Sequence, residues 1–449
     1  MTVDLSTLVD TENGLINRTV FTDPVIYEQE LQRIFARCWT FLCHESQLGR
    51  PGDFFTTYMG EDPVIVVRRR DGSLGCFLNS CRHRGMRVCR ADTGNTKVFT
   101  CTYHGWSYDT DGKLKNVPYE REAYYDEIDK SKWGLTEVAR LDTYKGLVFA
   151  TWDPTAPSLL EYLGDFCWYL DGLVDRRAGG TEVVGGVQRW RFKGNWKLAA
   201  EQFASDNYHA PSSHASAIAA LTKDVDKQVA RLGRNDGAQF SSDLGHATGF
   251  SLGKNLEHKL LGRGFPRILV DYQLSIWDEV VERLGEDRFL GPATSGHANV
   301  FPNFAYLPGF QTLRVWHPKG PDEMEIYAWV LVDKDAPAEV KEAQRRFAQL
   351  TFGASGILEQ DDGENWAEIQ RNLRGAITRR EPFNYQMGLG HEWTEDGRYP
   401  GRLGWYASEQ AARGFYRRYV QLMEAETFPT EAPKGPAVRS GRPDNGGIR

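Results

Sequence analysis

Two Cys/His pairs within one short segment, SCRHRGMRVCRADTGNTKVFTCTYHGWSYD (Ser80–Asp109), constrain this chain more than any other feature of it. Cys81 pairs with His83 and Cys101 with His104, with seventeen residues between His83 and Cys101. Two thiolates and two imidazoles form a metal donor set that tight β-turns can present. Three readings compete. The histidines are polar loop residues only, or the four groups hold a structural zinc, or they hold a [2Fe–2S] cluster with both cysteines on one iron and both histidines on the other. The common zinc finger places a cysteine pair before a histidine pair. Here each loop gives one of each, so each iron takes a like pair across the two loops, which favours the cluster. The other cysteines, Cys38, Cys43, Cys76, Cys89 and Cys167, bring the total to an odd seven at low density. They read as buried thiols in a reducing compartment, not as disulfides.

The 449 residues allow about two to three domains. With 41% hydrophobic residues and 13 Trp, 19 Tyr and 23 Phe, large apolar surfaces are available to bury. A net charge of −7 argues against nucleic-acid binding. No apolar run approaches the ~20 residues of a membrane span. The start, MTVDLSTLVDTENG, lacks the basic and apolar stretches of a secretory signal, so a cytoplasmic location is expected. TDPVIYEQELQRIFARCWTFL predicts a helix from about Pro24 to Ala36, capped near Asp23. From about residue 40 to 156, β-rich pieces (PVIVVRRR, KVFTCTYH, GLVFATW) alternate with Gly and Asp turns, giving a small all-β domain around both Cys/His pairs. The rest, 1–39 with 157–449, reads as α+β. VQRWRFKGNWKLAAEQFASDNYH is a strand, a turn at Gly194-Asn195 and a helix. EIYAWVLVDKDAP is a strand, and PAEVKEAQRRFAQLTF and SEQAARGFYRRYVQLMEAE are amphipathic helices. The last twenty residues, rich in Pro and Gly, read as an arm or frayed tail.

A cluster that only relays electrons needs no 300-residue extension, so a destination is expected there. EQFASDNYHAPSSHAS supplies Asp206, His209 and His214. Asp206 and His209, three apart, fall on one helix face, and Pro211 is expected to end that helix by Ala210. His214 then meets His209 from a second direction. Two histidines and one carboxylate make a facial triad for ferrous iron, leaving positions open for O2. Asp206 is one candidate carboxylate; Glu359, Asp361, Asp362 and Glu364 of GILEQDDGENWAEIQRNL are others. Trp366, Ile369 and Leu373 define an apolar stripe; at ~100° per residue Asp362 projects within roughly 15° of its centre and Asp361 roughly 110° away. Asp362 therefore points to the core, where a carboxylate needs a cation. The alternative is a helix that begins only after Gly363, with DDGEN as its solvated cap. No G-x-G-x-x-G fingerprint lies in a strand–turn–helix setting, so a nicotinamide cofactor is not expected on this chain.

CRHRG, CTYHGWSYD, NWKLAAEQFASDNYHAPSSH, GHANVFPNFAYLPG and LEQDDGENW resemble the α subunits of bacterial Rieske non-haem iron aromatic-ring-hydroxylating dioxygenases of the naphthalene and biphenyl type, in the same order and over nearly the whole chain. The resemblance implies a Rieske domain inserted in a catalytic domain whose antiparallel sheet is flanked by helices. It implies a [2Fe–2S] Rieske cluster on Cys81, His83, Cys101 and His104, and mononuclear Fe(II) on His209, His214 and Asp362. Asp206 becomes the bridging acid between His209 and a Rieske histidine, taken as His104, of a neighbouring subunit in a ring of three α and three β chains. By motif position, Gln202, Phe203, Ala210, His297, Asn299, Phe352 and Leu358 line the substrate pocket. Gln202 stands where naphthalene-type members often carry asparagine, and Leu358 where some carry tryptophan, which points to a larger ring system. The implied activity is addition of both atoms of O2 to an aromatic, polycyclic hydrocarbon to give a cis-dihydrodiol. Electrons come from a ferredoxin and an NADH-dependent reductase. A Rieske monooxygenase or demethylase, inserting one oxygen atom, is the alternative.

Overall fold

Short apolar runs between glycine turns become strands throughout Phe35–Leu159, one of two compact units of the computed structural model; the other joins Met1–Ile34 to Leu160–Arg449. The structure describes residues 5, 7–222, 236–394, 396–433 and 438–440. In the smaller unit, Asp62–Arg68 pairs antiparallel with Asp53–Met59 on one side and Leu74–Leu78 on the other. Val64 to Val67 are all fully buried, so this strand reads as a continuous apolar run because both its faces are covered. A second sheet orders Leu114–Asn116, Ser107–Asp109 and Val98–Thr100, and the turn between the last two carries Cys101 and His104. A third joins Thr40–His44, Leu147–Thr151 and Arg140–Tyr144.

The larger unit is built on a ten-stranded sheet. Its order runs Thr181–Phe192, Met324–Asp333, Thr312–Pro318, Phe304–Leu307, His297–Val300, Ala247–Ser251, Gly237–Ser241, Arg402–Trp405, Trp393–Thr394, Arg439–Ser440. Every neighbouring pair is antiparallel except the last. That short pair contains Arg439–Ser440 of the C-terminal tail; most of the expected arm lies outside the described residues.

Helix α1, Pro24–Glu30, starts as expected, with Asp23 accepting from the N–H groups of Val25 and Ile26. It passes into a π-turn over Leu31–Phe35 instead of continuing as α-helix. Helix α2, Trp196–Ser205, begins at the Gly194-Asn195 turn, where the Asn195 side chain accepts from Lys197 N–H. Ala199, Ala200 and Ala204 are fully buried, and small side chains let α2 lie close on strands Ala247–Ser251 and His297–Val300. Glu30 and Lys197, both fully enclosed, pair at 2.5 Å. The Glu30 carboxylate also accepts from Trp196 Nε1 (2.8 Å) and Tyr419 Oη (2.6 Å), so the buried charge is paired and hydrogen-bonded.

One expectation changes here and one alternative falls. The helix carrying Asp206 and His209 does not exist: α2 stops at Ser205, and Pro211 sits in the first turn of a new short helix, α3, Ala210–Ser213. Proline is compatible with a first turn because its missing N–H would be unpaired there anyway. Asp206 Oδ1 accepts from Tyr208 N–H (2.9 Å) and His209 N–H (3.1 Å), a side-chain turn that competes with the helix. Helix α4, Ala338–Phe352, forms as expected, and helix α5, Ile357–Asn372, runs unbroken through Gly363, so DDGEN is helix interior and not a cap. A Cβ at Gly363 would lie 2.0 Å from the Phe192 ring, which is why helix and strand meet there at a glycine. Helix α6, Gln410–Glu424, forms as expected and is enclosed on most sides. Arg413 and Arg418 are fully buried; Arg413 meets Glu392 at 2.5 Å and Arg418 donates to Gln421 Oε1 at 2.6 Å.

Candidate functional site

The two Cys/His loops share one backbone design. In the first, Cys81 N–H donates to Met86 O and Gly85 N–H returns to Cys81 O, both at 2.8 Å. In the second, Cys101 N–H donates to Trp106 O (2.8 Å) and Gly105 N–H returns to Cys101 O (2.9 Å). The glycine four residues after each cysteine has φ of +72° and +75°, which an L side chain rarely adopts. This explains the glycine that follows each histidine. Both cysteines are buried, and Cys81 Sγ lies 3.4 Å from Tyr108 Oη. The rings of His83 and His104 are 4.5 Å apart, and His83 stacks on Trp106 at 5.1 Å. Burial, then His104, pushes His83 down, keeping it in the neutral form that ligates metals. Its Nδ1 is buried without a hydrogen-bond partner, as a ligating atom would be.

A tetrahedral zinc with bonds of about 2.0–2.3 Å needs donors roughly 3.3–3.8 Å apart, whereas a two-iron cluster spans a wider gap. Among the described residues the donor trio that closes within 4.8 Å is a different one.

That other trio is His209, His214 and Asp362. His209 Nε2 and His214 Nε2 are 3.2 Å apart, and each lies 3.3 Å from Asp362 Oδ1. The turn after α2 supplies His209, the end of α3 supplies His214, and the buried face of α5 supplies Asp362. Each histidine turns its other nitrogen to a second carboxylate: His209 Nδ1 faces Asp206 Oδ2 at 3.3 Å, and His214 Nδ1 faces Asp361 Oδ2 at 3.1 Å. Protons held at Nδ1 leave both Nε2 lone pairs pointing at the Asp362 carboxylate. Three acceptors so placed repel unless a cation lies between them, and the set of two imidazoles and a carboxylate fits Fe(II). Burial disfavours charge on His209, yet Asp206 and Asp362 outweigh it and hold its pKa up to about 10, so without a metal ion the positive charge they call for is a proton on the imidazole, which a bound metal ion would displace. Asp362 moves the other way: burial opposes its charge, but the two histidines hold its carboxyl far below the usual range.

Gln202 fixes the carboxylate from behind. Trp366 Nε1, which can only donate, lies 2.7 Å from Gln202 Oε1, so Gln202 Nε2 faces Asp362 Oδ1, also at 2.7 Å. Of the other acids considered for the triad, Glu364 is exposed and Glu359 is fully buried against Arg314 at 3.0 Å. Burial raises Glu359 to about 7 even so.

Beside the trio lies a cavity of about 720 Å³. Gln202, Phe203, Ala210, His297, Phe352 and Leu358 line it. Asn299 does not: it lies one pleat further along the His297 strand, fully buried, with its amide donating to Pro302 O at 3.2 Å. His297 is held by Phe203 O (3.2 Å) and Asn207 Oδ1 (3.1 Å). Arg314 backs two of the walls, 5.4 Å from the Phe203 ring and 5.0 Å from that of Phe352. Sequence reasoning missed Asp361 as the partner of His214, and Asn207, Leu307 and Phe310 as lining. The adjacent acids of QDDGEN were the available signal for Asp361; its angle to the apolar stripe hid it.

Residues 168–425 match the family described as "Ring hydroxylating alpha subunit (catalytic domain)", and residues 38–144 match "Rieske [2Fe-2S] domain". Among curated proteins, the biphenyl 2,3-dioxygenase subunit alpha of Rhodococcus jostii RHA1 is 45% identical over 97% of this chain and 94% of its own. A benzene 1,2-dioxygenase subunit alpha of Pseudomonas putida is 46% identical over 94% of each chain. A solved naphthalene 1,2-dioxygenase from Rhodococcus sp., bound to indole, is 36% identical with a TM-score of 0.80, over 92% of this chain and 95% of that one.

Proposed function

Because the chain belongs to the α subunits of ring-hydroxylating dioxygenases, and so is the large subunit of a terminal oxygenase with a Rieske cluster and a mononuclear iron, we propose that it adds both atoms of O2 to an aromatic, polycyclic nucleus to give a cis-dihydrodiol. The reaction consumes the arene, one O2, two electrons and two protons, so an external reductant is required. A ferredoxin with an NADH-dependent reductase fills that role, and a small β subunit completes an α3β3 assembly in the cytoplasm. The observation that carries the reading is the trio of His209, His214 and Asp362 opening on a cavity walled by Phe203, Phe352 and Leu358.

We assign the cluster to Cys81, His83, Cys101 and His104 within a domain of residues 40–156, and the iron to His209, His214 and Asp362 within 1–39 and 157–449. When bound, the cluster supplies one-electron transfer and the iron supplies the centre at which O2 is reduced. The chain's own residues do the positioning. Asp206 and Asp361 hold the imidazoles in one tautomer, and Gln202 holds one carboxylate oxygen of Asp362 inward. Phe203, Phe352 and Leu358 exclude water and orient a flat ring by shape. Asp206 is partly exposed while still facing His209, which suits a bridge to His104 of a neighbouring subunit.

The test is turnover of one- to four-ring aromatics under 18O2 by protein reconstituted with ferredoxin and reductase. Two labelled oxygens in a cis-diol are expected. A singly labelled phenol or a demethylated product would move the chain to the monooxygenase branch. The purified protein should be brown, with about three irons per chain. Stoichiometric zinc without iron would overturn the whole reading.

A further inference from the structure

The cavity has a second polar wall. Strand Ala247–Ser251 ends there and the helix Leu256–Leu261 follows, setting Lys259 and Arg263 four residues apart along the lining. Lys259 Nζ donates to Ser251 O (2.9 Å) and to Leu290 O, and Arg263 Nη2 donates to Ser251 Oγ at 2.9 Å. These acceptors are all neutral. Among the described residues no carboxylate pairs with either cation. Among the described residues, the one charged group acting on Lys259 is Arg263, and the one titratable group acting on Arg263 is Tyr406. Asp206 and Asp362, which also line the cavity, act on neither. Lys254 and His258, both exposed, line the same wall and add no negative charge.

Two neighbouring half-buried cations with no counter-ion among the described residues are costly in a lining that partly withdraws them from water. Burial pushes the pKa of both downward. A hydrocarbon cannot relieve this cost, whereas an anion can, through charge-assisted hydrogen bonds from the guanidinium. We propose that Arg263 and Lys259 form an anion subsite within the substrate cavity, and that the preferred substrates are aromatics carrying a carboxylate. The carboxylate docks on the cation pair, and the ring lies toward His209, His214 and Asp362. This rests on reading the cavity as the oxygenation site and narrows the substrate class within it.

The experiment compares biphenyl with biphenyl-4-carboxylate on the metal-loaded oxygenase supplied with electron donors. The expected kcat/KM favours the acid by at least about tenfold at low salt, and the preference shrinks as ionic strength rises. Arg263→Gln should lower the acid-to-hydrocarbon ratio by about 10- to 100-fold, the loss of one charge-assisted hydrogen bond, and Arg263→Lys should restore part of it. Equilibrium binding of the two compounds to the wild-type protein keeps the test independent of how well a variant folds. If the hydrocarbon is oxidised and the acid is bound no better, the subsite is refuted while the functional reading stands. If inorganic phosphate competes but the acid gains nothing over biphenyl, the wall binds free anions only, and the proposal is equally refuted. If neither compound binds or reacts, the functional reading falls, and this inference with it.

Discussion

Replacing Gln202 with leucine should weaken the iron site without touching a ligand. The change removes two hydrogen bonds of 2.7 Å, one to Asp362 Oδ1 and one from Trp366 Nε1. The first is made to a charged acceptor, worth about 1.5–3 kcal/mol. At about 1.4 kcal/mol per factor of ten, that predicts iron bound some 10- to 150-fold more weakly, in line with the ~10- to 100-fold usual for residues that orient metal ligands. The second loss leaves a buried indole N–H unpaired, costing about 1–3 kcal/mol of fold stability. The two effects separate in a double variant. Adding Trp366→Phe to Gln202→Leu removes the unpaired donor, so it should recover stability while leaving iron affinity low. The assay is anaerobic competition for Fe(II) against a chelator of known affinity, with the visible absorbance of the Rieske cluster as internal control. Iron affinity of Gln202→Leu within about twofold of wild type would refute the reasoning.

Burial, with help from Asp206 and Glu409, lifts Glu201 from an ordinary 4.5 to about 8. A folded-state value above the unfolded one gives stability that is full below about pH 4.5 and lost as pH rises toward 8; denaturant unfolding should weaken over that window, and Glu201→Gln should flatten the slope. Asp206→Asn keeps an acceptor oxygen for the turn at Tyr208 and His209 but turns its NH2 toward His209 Nδ1, so the cluster should load, iron should bind more weakly, and electron transfer per bound iron should stop; activity that falls only in proportion to iron would reduce Asp206 to an orienting partner of His209. Mixed assemblies of Cys101→Ser chains, lacking the cluster, with His209→Ala chains, lacking the iron, should recover part of the activity neither has alone. If well-formed mixed rings stay inactive, transfer between chains is refuted. Leu358→Trp should shrink the largest ring system accepted, and unchanged turnover of four-ring substrates would remove Leu358 from the pocket. The accompanying shift in selectivity should be modest, about 1–3 kcal/mol for a change in apolar fit.

What was legible in the sequence was what local chemistry dictates. Cys81, His83, Cys101 and His104 announced a donor set by spacing, and the apolar stripe of α5 separated Asp362 from Asp361 before any contact was known. The stripe could not say what an off-axis acid does, and Asp361 turns to His214. Pro211 was misjudged because proline ends one helix and opens another with equal ease, and only the Asp206 side-chain turn decides which. Periodicity sees one helix at a time, so it could not show that Arg413 of α6 is enclosed against Glu392, which lies outside that helix. Asn299 shares a strand face with His297, and alternation alone could not tell which of the two reaches the cavity.

The buried carboxylate of Glu30 has a consequence for how the chain is made. Its donors, Trp196, Lys197 and Tyr419, lie 166, 167 and 389 residues further on. At roughly 5–20 residues per second of synthesis, the last of them leaves the ribosome roughly 20–80 seconds after Glu30 does. During that interval Phe35–Leu159 has emerged whole, with every strand of its three sheets available to pair. Helix α1 meanwhile carries an acid whose partners have not been translated. An order is therefore written into the connectivity: every strand of the inserted unit is available to pair before the surrounding unit has the donors that satisfy Glu30.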